Sequence, residues 1–157
     1  IYFPIVQEDV AFRDELDKSL SISCRYYEDL KLKGKKVVLF VGRLIDIKNL
    51  DFLLNAFSQI LDEYPNAELL LVGEGDRRNV LEDLAFCLGI KEKVHFLGKK
   101  QGKDLYAFYN LGQVFVLPSY YERFGAVVNE ALLSGCYTLC SSVAGAACLI
   151  SSEWRLF

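Results

Sequence analysis

The chain has 157 residues, 52% of them hydrophobic and 25% charged, which excludes disorder and suffices for one globular core. Its net charge of −3 leaves no basic footprint for nucleic acid, so an anionic ligand would need a local cluster of cations. No apolar run approaches the ~18 residues of a membrane-spanning helix.

Residues 1–36 are polar and mixed, with helical spacing over 10–20 and 22–32, and read as an N-terminal helical or linker segment. A regular alternation begins at Val37 and defines a second unit, 37–157. The β-branched and aromatic run 37–41 reads as a buried strand ending at Gly42. Apolar residues recur at helical spacing over 50–64 and stop at Pro65. A second strand, 68–72, runs into Gly73-Glu74-Gly75, after which Asp76 is expected to cap a helix that Gly89 terminates. A short strand over 94–97, a helix over 103–109 and a strand over 114–117 follow. A helix containing Glu130 and stopped by Gly135 then precedes a strand over 137–140. Strands alternating with helices through short loops imply an α/β, Rossmann-like parallel sheet flanked by helices.

In such a sheet the carboxyl ends of all strands open on one edge, where ligands bind. The segment Ser119-Tyr-Tyr-Glu122-Arg-Phe124-Gly125-Ala126 leaves a strand there and enters the helix of Glu130. The free N–H groups at a helix start favour an anion, and carboxylates on either side suit a phosphorylated ligand that also carries hydroxyls. Three further loops share the edge: Gly42-Arg43 through Lys48-Asn49, Gly73-Glu74-Gly75, and Gly98-Lys99-Lys100. Glycines in them allow close backbone approach to a ligand. Arg43 offers a planar fork for phosphate and Lys48 a mobile point charge; Arg43, at the buried end of a strand, is expected to need an anionic partner.

Other chemistries find little support. Gly73-Glu74-Gly75 lacks the third glycine of the dinucleotide fingerprint, and there is no Gly-Lys-Ser/Thr loop or Asp-x-Asp clamp. His95, the only histidine, lies within a strand and reads as structural. The five cysteines (Cys24, Cys87, Cys136, Cys140, Cys148) lie in apolar surroundings, suit a reducing compartment and read mostly as small core residues. Cys136 and Cys140 lack the spacing and the histidine of a zinc site. No metal site is expected.

The loops, in this order, resemble the C-terminal, donor-binding half of family 4 retaining glycosyltransferases, which have the two-domain GT-B fold. Over about 37–147 the matching pieces are Val41-Gly-Arg43-Leu, Lys48-Asn49, Leu71-Val-Gly73-Glu-Gly75, Val94-His-Phe-Leu-Gly98, Val114-Phe-Val-Leu-Pro118-Ser, and Glu122 and Glu130 about Phe124-Gly125. The resemblance implies that Arg43 and Lys48 bind the donor diphosphate and stabilise the leaving nucleoside diphosphate in place of a metal. Glu122, with the N–H groups of Phe124, Gly125 and Ala126, would meet the sugar and distal phosphate. Glu130 would accept from the ribose hydroxyls, Gly98 and Lys99 would run past the base, and Gly42, Gly73 and Glu74 would border the cleft. Tyr120 and Tyr121 read as packing or rim residues, and Glu130 reads equally as a solvated helix residue.

The resemblance further implies a UDP-, GDP- or ADP-sugar donor with no resident cofactor, and a glycan, lipid or small-molecule acceptor. It places the protein in the cytoplasm, peripheral to the membrane when complete. A chain that starts at Ile1 and has no methionine is expected to be a fragment without its acceptor domain, binding donor but not transferring sugar. An apolar surface facing that domain would make it self-associate. The sequence departs from the family after the fifth strand, where Val143-Ala-Gly145-Ala-Ala-Cys148 replaces a Gly-Gly pair and an acidic residue, and a compressed segment runs to Phe157. A sugar phosphorylase, a nucleotide-sugar epimerase and a non-catalytic nucleotide-binding module remain open as alternatives.

Overall fold

The computed structural model describes residues 9–150; the segment 151–157 and residues 1–8 of the N-terminal segment lie outside them. Helices α1 (Asp9–Lys18) and α2 (Leu20–Asp29) lead into β1 (Lys36–Val41) and α3 (Leu50–Ile60). The chain continues through β2 (Ala67–Val72), α4 (Arg78–Cys87), β3 (Val94–Phe96), α5 (Gly102–Leu111), β4 (Val114–Leu117), α6 (Ala126–Leu133) and β5 (Tyr137–Cys140). All strand pairs are parallel, in the order β3-β2-β1-β4-β5. Chain order reverses direction between β1 and β4, which makes their carboxyl ends the switch point of the sheet.

Strand alternation separates the two faces. Leu39 and Phe115 pair in register and face α5, where Phe115 meets the Tyr109 ring at 6.3 Å. Val38 and Val114 pair beside them and, with Val116 and Leu139, turn to the α3 side. Leu53, Phe57 and half-exposed Phe52 border that second face in an apolar groove. The core runs through both layers: Leu54, Phe57, Leu81 and Ala85 on one side, Phe12, Leu16, Phe108, Tyr109 and Val128 on the other. Near-continuous apolar strands such as β2 are what a sheet covered on both faces requires.

The N-terminal helices share this core. Asn110 donates to the Leu16 carbonyl at 3.0 Å and to the Ser19 and Ser23 hydroxyls at 2.9 and 3.2 Å. Ser23 in turn donates to the Ala107 carbonyl at 3.1 Å. Buried polar groups are thereby satisfied, and α1 and α2 are registered against α5.

Three local expectations are corrected. Asp76 is exposed and does not cap α4; Arg77 holds the cap position without a side-chain cap. Arg77 is directed elsewhere, with Nη2 2.7 and 2.8 Å from the Asp51 carboxylate oxygens and Nε 3.1 Å from Asp46. Helix α3 ends at Ile60 and turns lead to Pro65. Cys24, Cys87 and Cys148 are exposed rather than packed in the core; only Cys136 and Cys140 are buried. Burial pushes both of those thiols up to about 11, with Glu122 adding to the effect at Cys140. They remain neutral and unreactive at physiological pH.

At the opposite edge of the sheet, buried Glu68 of β2 takes Lys35 at 3.1 Å, Lys93 at 3.3 Å and His95 at 3.0 Å. His95 thus has the structural place expected of it. Burial alone would raise the Glu68 carboxyl, but hydrogen bonds from His95, Lys35 and Lys93 outweigh it and hold the group below its ordinary value. A carboxylate depressed in the fold contributes stability above its unfolded value, near ~4.3, and loses it as pH falls through the folded one. Glu68→Gln should therefore cost about 1–2 kcal/mol at pH 7. In urea titrations across pH 3–7 the gap to wild type should close at the acid end; a gap independent of pH would show that the charge is not responsible.

Candidate functional site

The loops at the carboxyl edge are held by one another. Leu44, fully buried after β1, donates its N–H to the Glu74 carbonyl at 2.9 Å and accepts from Arg77 N–H at 3.0 Å. Gly73 N–H donates to the Gly98 carbonyl at 2.9 Å. The glycines serve these contacts: a Cβ on Gly73 would lie 1.8 Å from the Gly42 carbonyl oxygen. The expectation that glycine clears space for a ligand is corrected at this position, since the close approach is backbone to backbone.

Gly42, Arg43, Gly73, Glu74 and Lys99 line one cleft of about 350 Å³, with Lys100 and Leu105 closing it. Gly98 borders it, and a Cβ there would lie 3.5 Å from the Glu74 carboxylate. Arg43 is exposed, not buried at the strand end. An exposed guanidinium needs no protein counter-ion, which overturns the argument from burial while leaving the fork open to a ligand.

Lys48 and Glu122 meet across the switch point. Lys48 closes a short 3-10 turn, Asp46–Lys48, ahead of α3, and Glu122 lies in the loop after β4. Tyr120 N–H donates to the Ile47 carbonyl at 2.9 Å, joining the loops. Lys48 Nζ and Glu122 Oε2 form a salt bridge with only 13% and 19% of the side chains exposed. Residues assigned from the sequence to separate ligand groups are therefore partners of each other. A third loop supports them: Gly145 N–H donates to the Glu122 carbonyl at 2.8 Å, and Glu122 pairs with Ala144 in a parallel bridge. The segment that departs from the family pattern is thus the backing of the Glu122 loop.

Helix α6 begins at Ala126, after Gly125 in the left-handed conformation (φ 67°, ψ 43°). That conformation, with Ala146 Cβ 2.9 Å from any added Cβ, accounts for glycine here. Among the described residues no backbone carbonyl accepts from the N–H groups of Phe124, Gly125 or Ala126, so they remain open to an anion. Phe124, Tyr120 and Tyr121 are exposed at the rim.

Glu130 lies one turn into α6 and is not a solvated residue. It is half-buried, and its Oε2 accepts from the Tyr109 hydroxyl at 2.6 Å. Tyr109 was missed in the sequence because its place in α5 looks like any other core aromatic. The site therefore comprises the Arg43 cleft, the Lys48–Glu122 pair with the α6 start, and Glu130 on its tyrosine.

A parallel sheet with polar loops gathered at its switch point is a Rossmann-like arrangement, and solved GT-B glycosyltransferases share it. WaaG, a glycosyltransferase involved in lipopolysaccharide biosynthesis, matches with a TM-score of 0.73 and 28% identity, over 85% of this chain and 35% of its own. Anabaena HepE, solved in complex with UDP, matches with a TM-score of 0.76 and 25% identity, over 87% of this chain and 38% of its own. Residues 27–153 match the family described as Glycosyl transferases group 1, and the chain belongs to that family. An uncharacterized glycosyltransferase of Methanocaldococcus jannaschii is 43% identical over 119 residues, 76% of this chain and 30% of that protein. The chain thus spans about a third of the length of these relatives. Among the described residues no helix is long and apolar enough to cross a membrane.

Proposed function

We propose that this chain is the donor-binding half of a retaining glycosyltransferase that takes its sugar from a nucleoside-diphosphate sugar. The observation that carries the reading is the Lys48–Glu122 pair at the switch point, between the Arg43 cleft and the open start of α6. Cation, carboxylate and free backbone N–H groups are the three kinds of partner that a diphosphate with a sugar attached requires.

In this reading Arg43 and Lys48 hold the diphosphate and stabilise charge on the departing nucleoside diphosphate, supplying what a metal supplies elsewhere. Glu122 exchanges Lys48 for the sugar hydroxyls. The N–H groups of Phe124, Gly125 and Ala126 receive the distal phosphate. Glu130 accepts from the ribose, Gly98 and Lys99 run past the base, and Gly42, Gly73 and Glu74 wall the cleft. The acceptor, a glycan, lipid or small molecule, is bound by a partner domain, so this chain alone binds donor without transferring sugar. An apolar surface facing that domain would make the chain self-associate. The resemblance supports a cytoplasmic setting, peripheral to the membrane when the protein is complete.

Thermal unfolding with UDP, GDP and ADP at millimolar concentration, without magnesium, tests the reading. A nucleotide at about a hundred times its Kd adds roughly 2.7 kcal/mol, which should raise Tm by roughly 5–10 °C for a domain of this size. A shift with one nucleotide supports the cradle and names the base. No shift with any of the three contradicts it.

A further inference from the structure

We infer that Tyr109 is a positioning residue for the nucleotide's ribose, holding the Glu130 carboxylate in the orientation that receives the 2′ and 3′ hydroxyls; this rests on the donor-binding reading above. The tyrosine is fully buried and donates to Glu130 Oε2 at 2.6 Å. Its ring is fixed from two sides. Phe12 of α1 stands edge-on at 6.4 Å and Phe115 of β4 lies at 6.3 Å. The hydroxyl therefore has one place to be.

Glu130, by contrast, sits on a half-buried face of α6 with a long side chain that would otherwise sample several rotamers. A carboxylate offers about four lone-pair sites on two oxygens. The Tyr109 hydroxyl occupies one on Oε2, and among the described residues no other hydrogen bond is made to the carboxylate. Oε1 and the remaining site on Oε2 are left for two donors, which is what a vicinal diol presents. Burial first, and the Glu130 charge second, push the Tyr109 phenol well above its ordinary value, so it stays a donor throughout the working pH range. A purely structural tyrosine would need only some acceptor; a fixed acceptor with a site left open on each oxygen is what a diol-binding carboxylate needs.

The test is Tyr109→Phe, which removes the hydroxyl and keeps the ring. Calorimetry would measure binding of whichever of UDP, GDP and ADP binds the wild-type protein, and of its 2′,3′-dideoxy counterpart. The ribonucleotide should bind about tenfold more weakly to the variant, equivalent to ~1.4 kcal/mol. The dideoxynucleotide should be unaffected within about twofold, because it makes no use of Glu130. Equal loss on both, or loss on neither, overturns the inference. A wild-type protein that binds the two nucleotides equally well overturns it too, while leaving the diphosphate cradle standing. Binding of no nucleotide at all removes the donor-binding reading and the inference with it. If the variant does not fold, NMR of the wild-type protein decides: the Tyr109 hydroxyl proton should move on binding the ribonucleotide and not the dideoxynucleotide, and equal movement overturns the role.

Discussion

Gly73→Ala is expected to lower stability by about 3 kcal/mol and the Tm by roughly 6–12 °C. The added Cβ would stand 1.8 Å from the Gly42 carbonyl oxygen and 2.8 Å from its carbon, and both are backbone atoms that no rotamer change can move. Relief requires the β1–α3 and β2–α4 loops to separate by more than an ångström. That separation would strain the Leu44 bonds to Glu74 and Arg77, at 2.9 and 3.0 Å, and the Gly73 bond to Gly98 at 2.9 Å. Each is worth ~1 kcal/mol, so relief and strain cost similar amounts and the total exceeds either alone. Gly34→Ala is the control, because Gly34 has φ 74° and nothing within 4 Å of an added Cβ. It should cost only the left-handed penalty of about 1–2 kcal/mol. Urea unfolding of the two variants separates crowding from conformation, and a Gly73 variant no weaker than the Gly34 one would show that the loops are not so closely joined.

Lys48→Ala and Glu122→Gln should change nucleotide affinity in opposite directions, although they remove the two ends of one salt bridge. Glu122 neutralises Lys48, so a diphosphate must displace a carboxylate to reach the cation. Lys48→Ala removes an attractive charge from a site mostly shielded from water, and the rise in Tm induced by whichever of UDP, GDP and ADP binds should fall below about 2 °C. Glu122→Gln removes the competitor and a charge that repels phosphate. A nucleoside diphosphate carries no sugar to use Glu122, so its affinity should rise by about three- to tenfold, the equivalent of roughly 1 kcal/mol. Calorimetry on both variants with the nucleotide that binds the wild-type protein checks the signs. Loss of affinity in both would mean that the pair acts by holding the loops together rather than by trading partners.

The elements were legible because each is specified by neighbours in the sequence. Alternation and β-branched runs set β1, β2, β4 and β5 to within a residue, and Gly135 stops α6 where expected. The errors fell where a short-range rule met a tertiary competitor. Asp76 had the chemistry of a cap, but the loop is drawn instead toward Leu44, and Arg77 reaches Asp51. Arg43 looked buried because its strand is, yet the chain turns outward one residue past β1. Three of the five cysteines face solvent, since helical residues are hidden only where another element covers them.

Within the candidate site the sequence by itself determined which chemical groups are available: Arg43, Lys48, Glu122, Glu130 and the glycine-bearing loops that carry them. It also determined that they lie at one edge, because a parallel sheet brings every strand's carboxyl end to the same side. Only the tertiary structure decided which of them meet. Placing β4 against β1 brings Lys48 to Glu122 across 74 residues of chain, and packing α5 against the sheet brings Tyr109 beneath Glu130. Those encounters depend on strand order and on the burial of a shared core, free-energy terms summed over the whole chain, and no local spacing of residues records them.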